Sequence, residues 1–270
     1  MRLKLGFIMA VALAGVLAAG AAQGITFGQP DGTAHPQVGA LLADYDDESP
    51  GPEVLCTGTL LAGSKTSAAV FLTAGHCTAF LESVGISQVW VTFAPSYDED
   101  STSTAGLFPG TYVTNPAYPG KRPEVGDLAV VLLNGQPSAT PATLAPLGLL
   151  DSLKASGALN ATRFTTVGYG TVREDKTKGP QTLFFDGVRR SATQGFRSLQ
   201  DHWLNLSMNP SVGSGGTCYG DSGGPHFIGS SLTIASITVT GDRWCRATDV
   251  SYRVDTPSAR AFLGNYVTLP

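Results

Sequence analysis

Charge is scarce in this 270-residue sequence: Asp, Glu, Lys and Arg together make up 14% of it. No stretch repeats apolar residues with a sustained helical period, which excludes coiled coils and large helical bundles. Lys and Arg number 17 against 21 Asp and Glu, a net charge of -4, and they form no basic stripe, so no nucleic-acid partner is expected. Beyond residue 24 no apolar run approaches the roughly 20 residues that span a bilayer, so no membrane association is expected once the leader has gone. There are only four cysteines and four histidines, with no close Cys-x2-Cys or His-x3-His clip. The spacing therefore speaks against a zinc site, and neither a metal nor a cofactor is expected. The acidic run Asp98-Glu99-Asp100 offers oxygen ligands that calcium would take, but it reads as a solvated loop.

What is abundant is turn chemistry. Gly counts 33 and Pro 17, and they separate short runs rich in β-formers, the pattern of an all-β barrel or sandwich. Strands are predicted near 37-44, 54-62, 67-73, 88-94, 110-114 and 128-133, then near 181-188, 202-208, 225-229, 232-240 and 250-255. A linker rich in Pro, Ala and Thr, 136-146, parts the two groups. Near the end, Thr256-Pro257 precedes helix formers and Gly264, which predicts a short C-terminal helix. The first 24 residues carry Arg2 and Lys4, an apolar run from Leu5 to Ala19, and then small residues, the anatomy of a secretory signal peptide. Ala22-Gln23-Gly24 permits cleavage before Ile25, and a cut after Ala22 is equally compatible with the small-residue rule. Export agrees with the even cysteine count, which allows three disulfide pairings.

Three short stretches carry chemistry. Gly220-Asp221-Ser222-Gly223-Gly224-Pro225 is a glycine-rich turn that displays one hydroxyl. A serine hydroxyl is a poor nucleophile unless a base lies within hydrogen-bond reach. Thr73-Ala74-Gly75-His76-Cys77 supplies a histidine in a small-residue turn, and Gly126-Asp127 supplies an acid at the mouth of the apolar strand that follows it. His35, His202 and His226 lack such settings and read as structural. In this order, with two cysteine pairs around them, the motifs resemble the chymotrypsin-like (trypsin-fold) serine proteases from about Ile25 to the C-terminus.

That resemblance implies two six-stranded antiparallel Greek-key barrels with a short C-terminal helix. The signal peptide is placed at 1-24, an N-terminal barrel with His76 and Asp127 at 25-135, and a C-terminal barrel with Ser222 and the helix at 136-270. It further implies Ser222 as nucleophile, His76 as general base and then acid, and Asp127 as the residue that orients the imidazole. The N-H groups of Gly220 and Ser222 would form the oxyanion hole. Cys56 would pair with Cys77, and Cys218 with Cys245. Ile25-Thr26-Phe27-Gly28 resembles the mature family start, Ile-Val-Gly-Gly, and departs from it at Thr26 and Phe27. There the new ammonium of Ile25 would pair with Asp221. Tyr169, in Gly168-Tyr169-Gly170, stands where the family usually has Trp.

For the primary pocket, the resemblance selects Gly216, Thr217, Gly241 and Asp249 as substrate-binding positions. Gly216 stands where an aspartate would select Arg or Lys, so the expected preference is not trypsin-like. Gly241 leaves room for large apolar side chains, and whether Asp249 points inward is left open by the residue count. The expected function is a secreted, monomeric serine endopeptidase acting on protein or peptide substrates through an acyl-enzyme. Its rivals are an esterase-leaning hydrolase and a catalytically silent homologue that binds or adheres. The silent homologue is disfavoured because no member of the Ser-His-Asp set is replaced.

Overall fold

A computed structural model of the protein describes residues 24-45, 49-173 and 182-270. The expected signal peptide, apart from Gly24, lies outside the described residues. Among those described, no helix is long and apolar enough to cross a membrane.

Six strands form a first closed barrel: β1 Val38–Ala43, β2 Glu53–Leu61, β3 Ala69–Thr73, β4 Val89–Thr92, β5 Phe108–Thr114 and β6 Ala129–Leu133. Around the barrel they run β1-β2-β3-β6-β5-β4, every pairing antiparallel. Their apolar residues fill the interior. Val38, Leu41, Phe71, Val91, Val131 and Leu133 are all buried, so β3 and β6 read as nearly continuous hydrophobic runs instead of alternating ones.

A second cycle repeats the plan with β7 Arg163–Gly168, β8 Arg190–Leu199, β9 Trp203–Ser207, β10 Pro225–Ile228, β11 Thr233–Gly241 and β12 Thr248–Arg253. Their order, β7-β8-β9-β12-β11-β10, is that of the first barrel, and β7 closes the ring by pairing with both β8 and β10. The two barrels are thus structural duplicates with no sequence repeat to announce it. Short helices α1 Gly75–Ser83, α2 Leu149–Ala155 and α3 Pro257–Leu263 lie outside the strands. In α3 the Thr256 hydroxyl accepts the Ala259 N-H and Pro257 occupies the first turn, as the sequence predicted.

Two expectations are corrected. Of the strand predicted at 181-188, the described residues 182-188 keep only the two-residue Leu183–Phe184, and the long strand is β8, whose sequence RSATQGFRSL lacks apolar alternation and which is paired on both edges. Adjacent arginines usually lie at a solvated surface, yet Arg189-Arg190 is buried, with Arg189 1% exposed. Its guanidinium donates to the Asp31 carboxylate at 3.0 Å and to the carbonyls of Gly32, Val38 and Phe93, which stitches the start of the second barrel to the first. Arg190 makes a two-pronged pair with Asp186. The acidic run also differs from expectation: Glu99 is partly buried and accepts the Val54 N-H at 2.8 Å, and burial raises its pKa.

Candidate active site

His76 is the second residue of α1, and a disulfide between its neighbour Cys77 and Cys56 of β2 pins that turn to the barrel wall. Such a bridge contributes on the order of 3 kcal/mol by the chain-entropy argument. Asp127 opens the strand that becomes β6. Its Oδ1 accepts the backbone N-H of His76 at 2.8 Å, and its Oδ2 lies 3.0 Å from the His76 Nδ1. Asp127 is buried and the His76 side chain is about one-third exposed. Gly126, at φ 65°, makes this approach possible, since the left-handed backbone disfavours any side chain there.

The loop carrying Ser222 packs directly on the His76 turn. A Cβ on Gly223 would lie 2.3 Å from the Thr73 hydroxyl and 2.6 Å from the Ala74 amide nitrogen, and its φ of 80° is one that side chains avoid. Only glycine lets the two loops meet. Thr57, wholly buried next to Cys56, fastens them: its N-H donates to the Ser222 carbonyl at 2.9 Å and its hydroxyl to the Gly220 carbonyl at 3.0 Å. The Thr73 hydroxyl in turn donates to the Thr57 carbonyl. No motif in the sequence marks Thr57 or Thr73.

In the turn itself, the amides of Asp221, Gly223 and Gly224 donate to the carbonyls of Cys218, Thr238 and Asp221. The N-H groups of Gly220 and Ser222 find no acceptor among the described residues and are available to a substrate oxygen. Asp221 turns inward and is completely buried, accepting from Gly170 and Cys218 N-H at 2.8 Å each. Burial pushes its pKa up to about 7 despite those two bonds. It has no ion-pair partner among the described residues. Ile25 is also buried, and the segment after it docks beside this turn through Gly216 N-H to the Thr26 carbonyl.

A cavity of about 130 Å³ adjoins Ser222, walled by Thr217, Tyr219, Thr238, Thr240 and Gly241, with the Cys218–Cys245 bridge at its edge. Two expected pocket residues lie behind that wall. Gly216 is buried where a Cβ would meet the Met208 side chain at 2.3 Å. Asp249 is fully buried, and its Oδ2 accepts from the Thr217 hydroxyl at 2.7 Å and the Gln194 amide at 2.9 Å, with His226 Nε2 also at 2.9 Å. Burial pushes the Asp249 pKa up, but the His226 charge and these bonds outweigh it and leave it below the ordinary value. Asp242, at the cavity rim, is committed to the N-H groups of Arg246, Ala247 and Thr248. Cys56, His76 and Cys77 also lie close together, but both sulfurs are in the disulfide and so are not thiolate ligands.

The architecture and the sequence agree with known proteins. The structure entitled "HL collagenase structure at 1.7A resolution" matches with a TM-score of 0.62 over 88% of this chain and 96% of that one, at 13% identity, a likeness of fold. A search of curated proteins finds no match. The sequence profile described as Trypsin matches residues 21–262, nearly the whole of the chain, and with the doubled six-stranded barrel this makes the protein a member of the trypsin family.

Proposed function

We propose that the chain is a secreted serine endopeptidase using Ser222, His76 and Asp127. The observation that carries this reading is the His76-Asp127 pair on a turn against which the Ser222 loop is packed, with Thr57 hydrogen-bonded to that loop and to Thr73 at the start of the turn. Ser222 Oγ attacks the peptide carbonyl as His76 Nε2 takes its proton, forming a tetrahedral adduct whose oxygen takes the free N-H groups of Gly220 and Ser222. His76 then protonates the leaving amine, and water repeats the sequence on the acyl-enzyme. Asp127 holds the proton-bearing Nδ1, which leaves Nε2 to take the serine proton, and it stabilises the imidazolium. These roles are those of the general Ser-His-Asp template.

Secretion agrees with two disulfides, which form in oxidising compartments. Cleavage before Ile25 agrees with the local backbone. Ile25 sits at φ 34°, a costly conformation for a β-branched residue, and a cut there removes the preceding carbonyl that makes it costly. The freed ammonium would answer the unpaired Asp221 carboxylate. The pocket favours uncharged side chains, large apolar ones included where its walls yield, because Asp249 is fully buried behind its wall and Asp242 is committed to backbone N-H groups, which leaves Arg or Lys no carboxylate to meet. The chain acts as a monomer on protein or peptide substrates.

The test is mass spectrometry of secreted protein before and after a fluorophosphonate, with S222A as control, read together with the N-terminal residue. A single adduct that is absent in S222A, on protein starting at Ile25, is expected. An unlabelled protein that starts at Ile25 would overturn the reading in favour of a silent homologue.

A further inference from the structure

Three residues before Asp127 stands a carboxylate that accepts three hydrogen bonds and has a histidine beside it. Glu124 Oε1 accepts the Gly126 N-H at 2.8 Å and the Tyr252 hydroxyl at 2.5 Å. Its Oε2 accepts the Ser258 hydroxyl at 2.5 Å and lies 2.6 Å from His202 Nδ1. Burial alone would raise its pKa, but the bonds from Ser258, Tyr252 and Gly126 and the charge on His202 hold it below the ordinary range. The partners come from both halves of the molecule. Gly126 belongs to the first barrel's Asp127 turn, while Tyr252 lies on β12, His202 just before β9 and Ser258 in α3.

The other side of Gly126 is fixed as well. Its carbonyl accepts the Asn115 side-chain amide at 3.0 Å and the Leu128 N-H at 2.7 Å. With both flanking peptide groups held, the direction in which Asp127 leaves the turn is set, and Asp127 carries both contacts to His76. The second barrel bears Ser222, so Glu124 joins the two halves of the candidate site on the Asp127 side, as Thr57 does on the Ser222 side. We propose that Glu124 is a positioning residue that ties the Asp127 turn to the second barrel and holds the His76-Asp127 pair in register with Ser222. The proposal rests on the endopeptidase reading above.

The experiment compares wild type, E124A and E124Q, with D127N and the E124A/D127N double variant, after thermal melts have identified which variants fold. With a peptide substrate, E124A lowers kcat roughly 10- to 100-fold and leaves KM nearly unchanged, because a small misplacement of the imidazole's partner degrades the chemistry and not the pocket. E124Q keeps one oxygen for Gly126 and falls in between, which preserves the test should E124A fail to fold. In the D127N background E124A adds little, since the two residues act through one group. A readout independent of turnover is the low-field NMR resonance of the His76 Nδ1 proton bonded to Asp127, assigned by its loss in D127N and expected to shift or broaden in E124A and E124Q. If wild type neither hydrolyses peptides nor takes the fluorophosphonate, the endopeptidase reading fails while this resonance still decides the geometry. A folded E124A or E124Q with wild-type kcat and an unmoved resonance overturns the proposal, as does a loss in E124A that is equally large in the D127N background.

Discussion

His76 meets Asp127 twice, through its backbone N-H at 2.8 Å from Oδ1 and through Nδ1 at 3.0 Å from Oδ2. One carboxylate therefore fixes both where the histidine turn sits and how its ring is rotated. In D127N the amide can still accept the backbone N-H through its oxygen, but it then turns its NH2 toward Nδ1, which favours the wrong tautomer. D127N should fold normally and lose roughly 10⁴-fold in kcat at neutral pH, as in the general template. Steady-state kinetics with a matching melting temperature check this. A loss below tenfold would mean that Asp127 does not orient the ring.

Gly216 invites the substitution that the family resemblance suggests for engineering a basic preference, and here it should fail. A Cβ at this position would lie 2.3 Å from Met208 and 2.6 Å from the Gln194 amide, beside the fully buried Asp249. The new carboxylate of G216D would be driven into packed atoms behind the pocket, near a second buried acid. The expected outcome is a lower melting temperature and no gain in cleavage after Arg or Lys. A peptide-library profile shifted toward basic residues would show that this wall moves more freely than its packing implies.

The motifs of the candidate site stand out in the sequence because each is a local word: a small-residue turn around His76, an acid before an apolar strand, a glycine-framed Ser222. The barrel strands around them were legible where apolar runs ended in turn residues. What escaped was set by distant partners. β8 is mostly polar, without regular apolar alternation, and is held as a strand by the hydrogen bonds of β7 and β9. Thr57 looks like any strand threonine, yet it joins the Ser222 loop to the histidine turn because of what lies 163 residues away, at Gly220. Asp249 could not be oriented by counting, since its direction depends on Thr217, Gln194 and His226, which the second barrel brings together.

Arg189 shows most plainly that surroundings in sequence need not reveal a residue's role, and it predicts a large stability effect. Besides Asp31 and three carbonyls it donates to the Tyr169 hydroxyl at 3.3 Å, and that hydroxyl itself donates to the Ala94 carbonyl, with burial pushing its pKa up to about 12. R189A would leave Asp31 buried with only His35 and would strand several acceptors, a loss of about 3-5 kcal/mol. R189K should recover little, because an ammonium cannot span the forked set of partners. Urea unfolding of both variants, made on the S222A background to prevent self-digestion, measures this. A change below about 1 kcal/mol in R189A would show that the joint between barrels is held by packing alone.

The last prediction concerns pH and follows from Asp221. Its carboxyl is fully buried, and that burial raises its pKa from 3.8 to about 7 in the chain that continues past Ile25. Between roughly pH 4 and 7 the folded form therefore keeps a proton that the unfolded chain has released. The unfolded state binds fewer protons across that window, so stability falls as pH rises through it and stays low above it. An ammonium at Ile25 would favour the ionised carboxylate and cancel this loss. S222A protein should thus be compared with and without a cut before Ile25, introduced at an engineered protease site. The two forms should melt at similar temperatures near the acid end of the window, and the cut form should melt higher by a margin that widens toward pH 8. A gap of the same size at both ends would mean that the new terminus does not reach Asp221, and activation would then have to work by some contact other than that ion pair.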